Sequence, residues 1–260
     1  MIDLHCHILP GLDDGARSDD EALAIASAAG AAGVTTIVAT PHIDNVHGVD
    51  IVEILARVRI LNRLLVMEGI PVEILPGGEV AIGRIGSLTD DELILVSLGG
   101  PSRWILLESP FHGSLTEVVA AVDDLVRRGF RPLLAHPERS AALSSAEAVV
   151  HLVERGARMQ VNAASLLGEL GGQARKSALG LVEARLAHVV ASDAHRVGQR
   201  LGAYLSLADR VLGNDTSVAP VLVTAIQHAP RCIIAGAEVA APVPRLARRT
   251  RSWLAVRRSI

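Results

Sequence analysis

The sequence predicts an α/β fold: a single domain of parallel strands closed into a barrel. Three observations carry this reading. Short apolar runs rich in β-branched residues alternate seven times with longer helical patterns, which implies parallel strands joined by helical crossovers. The strands are nearly continuously apolar, as in a sheet covered on both faces. Polar residues able to hold a metal recur at the carboxyl ends of six of the seven strands. A closed barrel gathers such ends on one face, whereas an open sheet spreads them along an edge.

The elements follow in order. "IDLHC" reads as the first strand. "SDDEALAIASAAGAAG" reads as a helix, with Ser18 as N-cap, acids in the first turn and Gly33 near its end. "VTTIVAT" is the second strand, and "DIVEILARVRILNRLLVMEG" is a helix with an apolar face that ends at Gly69. "PVEILPGGEV" holds strand three. "RWILLESP" holds strand four, followed by a helix near 114–129. "RPLLAHP" is strand five, with a helix near 144–156. "RMQVNA" is strand six, with a helix near 173–185. "AHVVASDAH" is strand seven, and helices near 199–212 and 216–228 finish the domain.

The strand ends carry the chemistry. Strand one ends in His5 and His7, strand two in His42, and strand three runs into Glu79. Strand four ends in Glu108, strand five in His136, strand six in Asn162, and strand seven in Asp193 and His195. Histidine and carboxylate without thiolate suit Zn, Mn or Fe at a catalytic centre. Strand alternation puts His5 and His7 on one face and Cys6 on the other, so Cys6 is assigned to packing. Asp193 and His195 repeat the same two-residue spacing. Taken singly, each feature has an ordinary explanation: a lone His-X-His is weak, a single Glu can pair with an Arg, and Asp13 or Asp14 can form a turn. Their recurrence at strand ends points to one convergent site. His47 and His112 lie in loops near the same face, without an assigned role.

Composition narrows the function classes. The chain has 260 residues, half of them hydrophobic and 2% aromatic, with a formal net charge of −3. It lacks the basic excess and aromatic platforms of a nucleic-acid binder. Two cysteines, Cys6 and Cys232, make no disulfide framework and fit a reducing cytosol. Neither cysteine begins a C-x5-R loop: the relevant positions are Leu12 and Glu238. No apolar run reaches the length of a membrane span, and no signal peptide is read at the N-terminus. The charge anomaly is the segment "PRLARRTRSWLAVRRSI", with six arginines and no acid.

The motifs "MIDLHCHILPGLDDGA", "ATPH", "GGE", "LLESP", "LLAHPER" and "ASDAH" with its later "QR" span residues 1–200. In them the sequence resembles the PHP (polymerase and histidinol phosphatase) metallophosphoesterases. Among these it is most similar to the bacterial manganese-dependent protein-tyrosine phosphatases of capsule and exopolysaccharide loci. The resemblance implies a distorted (β/α)7 TIM-like barrel; the domain is read over 1–242, and the run of arginines marks a basic tail over 243–260.

The resemblance also implies three divalent metal ions, manganese with iron or zinc as alternatives. His5, His7, Glu79 and Asp193 hold the first. Glu79 bridges to a second, completed by Glu108 and His136. Asp14, His42 and His195 hold the third. Spacing alone does not choose between Asp13 and Asp14; the family pattern selects Asp14. Arg139 and Arg200 match the phosphate-binding arginines. The implied reaction is hydrolysis of phosphotyrosine by metal-activated water, on a membrane-associated bacterial tyrosine kinase that controls polysaccharide synthesis. The implied location is cytoplasmic and peripheral to the inner face of the membrane. Nucleic acid is not an expected partner, and oligomeric state is not readable.

Position 43 is Ile where relatives often carry a second His, which alters the outer rim of the site. The basic tail, from Arg245 onward, lies outside the matched motifs and reads either as a membrane-touching amphipathic segment or as a solvated helix. Three competing functions are a PHP phosphatase of a small monoester such as histidinol phosphate, a metal-dependent amidohydrolase, and a domain that keeps its metals for structure.

Overall fold

The computed structural model describes residues 1–213, 220–241 and 244. Its strands are β1 (Ile2–Cys6), β2 (Thr36–Ala39), β3 (His42–Ile43), β4 (Glu73–Leu75), β5 (Glu79–Ala81), β6 (Trp104–Glu108), β7 (Arg131–Ala135), β8 (Arg158–Asn162) and β9 (Val189–Ala191). The intervening helices include α1 (Asp19–Ala31), α2 (Ile51–Met67), α3 (Asp90–Leu95), α4 (Leu115–Arg127), α5 (Ala146–Glu154), α6 (Ala163–Leu167), α7 (Gly172–Glu183) and α8 (Gln199–Leu212). After α8 come α9 (Pro220–Val223), a π-helical turn (Thr224–His228) and α10 (Ala229–Ile234). The last expected helix, near 216–228, is thus described only from Pro220 and runs on to Ile234. The short helices α3 and α6 are additions to the expected set. The basic segment from Arg245 lies outside the described residues.

Every strand pairing is parallel. β1, β2 and β4 form one sheet, and β3, β5, β6, β7, β8 and β9 form another in that order. The expected second and third strands are each broken in two, at Pro41 and Pro76. Proline has no N–H to give a ladder, so each chain leaves the first sheet there and joins the second. Gly78 sits at this crossing because a side chain would not fit: a Cβ would lie 2.9 Å from Ile43 Cγ1. The β2–β3 and β4–β5 crossings join the sheets through the chain itself, and beside the β3–β5 pair Glu79 N donates to Pro41 O at 3.0 Å. At the other side, Cys6 bridges Ala194 in parallel, Asp193 N donates to His5 O and His7 N to Ala194 O. This sequence of contacts leads from β1 through the sheets and back to β1, and is consistent with the barrel expected from the sequence.

Side-chain alternation divides the core. Ile105 and Leu107 of β6 join a large cluster with Leu134, Val161, Val190 and helix residues such as Ile54, Val122 and Leu152. Trp104 and Leu106, on the opposite face of β6, join a smaller cluster with Leu133, Val189 and Ile233. Glu108 shares the parity of this second face, so the layer is apolar at the strand starts and polar at the strand ends. Residues 236–239 close the apolar end. Gly236 O accepts from Arg131 at 3.1 Å, Ala237 O from Trp104 Nε1 at 2.9 Å and Val239 O from Arg158 Nε at 2.7 Å.

Candidate metal centre

The strand-end residues converge at the polar end of the fold. His5 Nε2 lies 3.2 Å from His7 Nε2, 3.3 Å from Glu79 Oε2 and 3.5 Å from Asp193 Oδ1. His7 Nε2 lies 3.4 Å and 3.7 Å from the same two oxygens. Donors about 2.0–2.2 Å from one ion in a tetrahedron stand roughly 3.2–3.6 Å apart, so His5, His7 and Asp193 are spaced to share a cation, with Glu79 against the two histidines. All four residues are buried.

A second group forms around Asp14. His195 Nε2 is 3.2 Å and His42 Nε2 3.6 Å from Asp14 Oδ1, and the His7 ring stacks on His195 with centroids 3.9 Å apart. His7, Asp14, His42 and His195 can hold a metal ion, as can His5, His7 and Asp193. Glu79 links these residues to His136, whose Nε2 is 2.9 Å from Glu79 Oε1. Glu108 sits at the end of β6, in register with Ala81 and Ala135, and is partly buried. Burial first, then the Glu79 charge, pushes its pKa up to about 7.

Three buried atoms here have no hydrogen-bond partner: Glu79 Oε2, His42 Nδ1 and His136 Nδ1. Two of them, His42 Nδ1 and Glu79 Oε2, lie 3.2 Å apart without forming a hydrogen bond, and buried polar atoms left so on metal-ligating residue types are what a bound cation would satisfy. Burial disfavours charge on His5, yet the Glu79 and Asp193 carboxylates outweigh it and raise the His5 pKa. The same contest, with Asp13 and Glu79 opposing burial, carries His7 up to about 10. The carboxylates thus draw positive charge into the site, from protons or from metal. His195 behaves oppositely: burial and the charge on His7 lower it to about 4.

The backbone is bent to deliver two of these groups. His136 has φ 36° and Asp193 φ 53°, left-handed conformations unusual for residues with a side chain. Such strain collects at functional sites because the surroundings enforce it. At Asp193 the enforcing contacts include Ser192, whose N–H goes to Asp3 Oδ1 and whose hydroxyl goes to His5 O.

Behind these residues stands a supporting set. Asp13 Oδ2 lies 2.7 Å from His7 Nδ1, and Gln160 Oε1 lies 2.9 Å from His5 Nδ1. Asn162 Nδ2 donates to Asp193 Oδ2 at 2.7 Å, and its Oδ1 accepts from Gln160. Gln160 was missed in the sequence; its signal is an amide in the middle of a buried strand. Asn162 stands at the strand end the sequence marks, and its partner there is Asp193. Arg139 Nη1 donates to Asp193 Oδ2 at 3.3 Å and Arg200 Nη1 to the same oxygen at 2.9 Å. The two guanidinium groups therefore flank one carboxylate at the site's open side. His47 stacks on His42 at 4.9 Å and pairs with Asp44, whereas His112 is exposed.

Cys6 is excluded as a nucleophile by its surroundings. It is fully buried, its Sγ points at Ala194 O, and burial pushes its thiol pKa well up.

The family model described as capsular polysaccharide synthesis, CpsB/CapC, matches residues 1–214. The tyrosine-protein phosphatase YwqE of Bacillus subtilis (strain 168) is 40% identical over 204 residues, 77% of this chain and 79% of that protein. The tyrosine-protein phosphatase CpsB of Streptococcus pneumoniae is 29% identical over 211 residues, 77% and 85% of the two chains. A crystal structure from work on these two proteins, described as unique metal-dependent tyrosine phosphatases, superposes with a TM-score of 0.84 at 33% identity. It covers 96% of this chain and 100% of the solved one. A β-aspartyl dipeptidase from Fervidobacterium islandicum AW-1 shares the fold alone, with a TM-score of 0.56 at 16% identity over 94% and 76% of the chains. The chain belongs to the CpsB/CapC family.

Proposed function

We propose that this protein is a metal-dependent protein-tyrosine phosphatase acting through three divalent ions, manganese by preference. The observation that carries the reading is Glu79, whose two oxygens face different partners: Oε2 faces His5, His7 and the Nδ1 of His42, and Oε1 faces His136. One carboxylate so placed is suited to joining two ions. In this reading His5, His7, Glu79 and Asp193 hold the first ion. Glu79, Glu108 and His136 hold the second, and Asp14, His42 and His195 the third. Relatives named as tyrosine-protein phosphatases and the metal dependence of the similar solved structure support it.

When bound, such ions supply Lewis-acid charge to phosphoryl oxygens and make water a nucleophile near neutral pH. The chain's own residues do the rest. Asp13 and Gln160 engage the Nδ1 atoms of His7 and His5, which turns each Nε2 into the site. Asn162 holds Asp193 from behind. Arg139 and Arg200 present guanidinium donors to phosphoryl oxygens, whose charge redistributes during transfer. A phenolate leaving group, with a reference pKa of about 10, would have less need of a strong general acid where bound ions and the two guanidinium groups supplied positive charge.

The protein substrate in this reading is a membrane-associated tyrosine kinase of polysaccharide synthesis, met at the cytoplasmic face. No helix among the described residues is long and apolar enough to cross a membrane. The test is phosphotyrosyl-peptide hydrolysis after chelation and after metal return. Chelated protein is expected to be inactive, manganese to restore it best, and His136→Ala to abolish most turnover. Full turnover by the stripped protein or by His136→Ala contradicts the reading.

A further inference from the structure

The chain has two Phe, two Trp and one Tyr. Trp104, Phe130 and Tyr204 are buried in the core, and Trp253 lies outside the described residues. Phe111 remains. It is 43% exposed, and it lies against the candidate site. Its ring runs nearly parallel to that of His136, at 12° with centroids 5.8 Å apart. The Arg139 guanidinium lies over it, 4.6 Å from the centroid.

The loop is held in this place. Ser140 Oγ donates to Pro110 O at 2.6 Å, and Ala141 N donates to Phe111 O at 3.4 Å. Both bonds tie the Phe111 loop to the segment that carries His136 and Arg139. An exposed phenyl ring has no use as a metal ligand and buries little in the core. In a chain so poor in aromatics, its position one guanidinium away from Asp193 calls for a separate reason.

We infer that Phe111 is a specificity-determining residue: it forms the aromatic wall against which the phenyl ring of an aryl phosphate packs while Arg139 engages the phosphoryl group. The inference rests on the phosphotyrosine reading above and adds the feature that selects aryl over alkyl esters. A phosphoryl group held at Arg139 brings an attached phenyl ring beside Phe111, where offset stacking or edge-to-face packing favours it. An alkyl ester gains nothing comparable.

The alternative role for Phe111 is to position Arg139 through the cation–π contact. The two roles separate on ligand pairs. The test measures inhibition constants of phenylphosphonate and methylphosphonate on the manganese-loaded full chain, with p-nitrophenyl phosphate as reporter. Wild type is expected to bind phenylphosphonate about three- to tenfold more tightly. Phe111→Ala should bring that ratio close to one while methylphosphonate binding stays within about twofold. Phe111→Trp should keep the ratio, and Phe111→Leu, which retains bulk, serves if the Ala variant does not fold.

A parallel loss for both phosphonates assigns Phe111 to positioning Arg139 and overturns the inference. An unchanged ratio in Phe111→Ala, or no phenyl preference in wild type, overturns it too. Failure of the underlying reading is seen separately, as absence of phosphotyrosyl-peptide hydrolysis by the wild-type protein.

Discussion

Asp13 accepts from His7: its Oδ2 lies 2.7 Å from His7 Nδ1, and the same oxygen takes the backbone N–H of His42 at 3.0 Å. One buried carboxylate therefore fixes the ring of one proposed ligand and the backbone of another. Burial opposes charge on Asp13, yet its hydrogen bond with His7 and the backbone N–H groups of Gly15 and His42 hold the carboxyl well below its ordinary range. Asp13 and Asp14, adjacent in the chain, divide the work: Asp14 faces His42 and His195, and Asp13 supports from behind.

Removing that support is expected to weaken metal binding without removing a ligand. Asp13→Ala should lower manganese affinity about 10–100-fold, with activity partly recovered at high manganese. Calorimetric titration of stripped protein measures this. Unchanged affinity would mean that His7 is oriented by its packing alone.

Gly15 is the residue that lets the Asp13–Asp14 turn return to β1. A Cβ there would lie 2.1 Å from His7 O and 2.5 Å from His7 Cβ, and the backbone cannot yield as a flexible side chain does. Gly15→Ala should destabilise the fold toward the upper end of the roughly 1–3 kcal/mol seen for overpacking and should displace His7. Urea unfolding and manganese binding, measured on the same variant, should both fall.

His188 is a pH probe remote from the metal ligands' own contacts. It is buried, and its Nδ1 accepts the Met159 N–H at 3.1 Å, so the folded protein requires the neutral ring. Burial, then the Arg158 charge, lowers its pKa to about 3, against about 6.5 unfolded. The unfolded chain binds the extra proton first. Its contribution to stability is therefore complete above about pH 6.5 and is lost as pH falls toward 3. His188→Asn keeps an acceptor and removes the titration. Denaturant unfolding of chelated protein should show wild type losing stability relative to this variant below about pH 6.5; parallel pH profiles would contradict the assignment.

The alternation of strands and helices, and the gathering of His5, His7, His42, Glu79, His136, Asp193 and His195 on one end, were legible because period and strand direction are written locally. The breaks at Pro41 and Pro76 were not drawn from the same strings, although proline's missing N–H causes them. Whether a strand continues past such a residue depends on what its neighbour offers, as Pro41 O offers Glu79 N an acceptor. Asp13 and Asp14 could not be separated by spacing, because the choice is made by the curvature of a turn around Gly15. Gln160 and Phe111 were illegible for another reason: each acquires its meaning from a partner far along the chain, His5 for one and Arg139 for the other.

In the proposed three-ion centre Glu79 would join two ions, and anomalous scattering from crystals of the manganese-loaded protein measures this. Three manganese peaks are expected, with Glu79 reached by two of them, His136 and Glu108 at one and Asp14, His42 and His195 at the third. A single ion, or ions with none shared by Glu79, would contradict it.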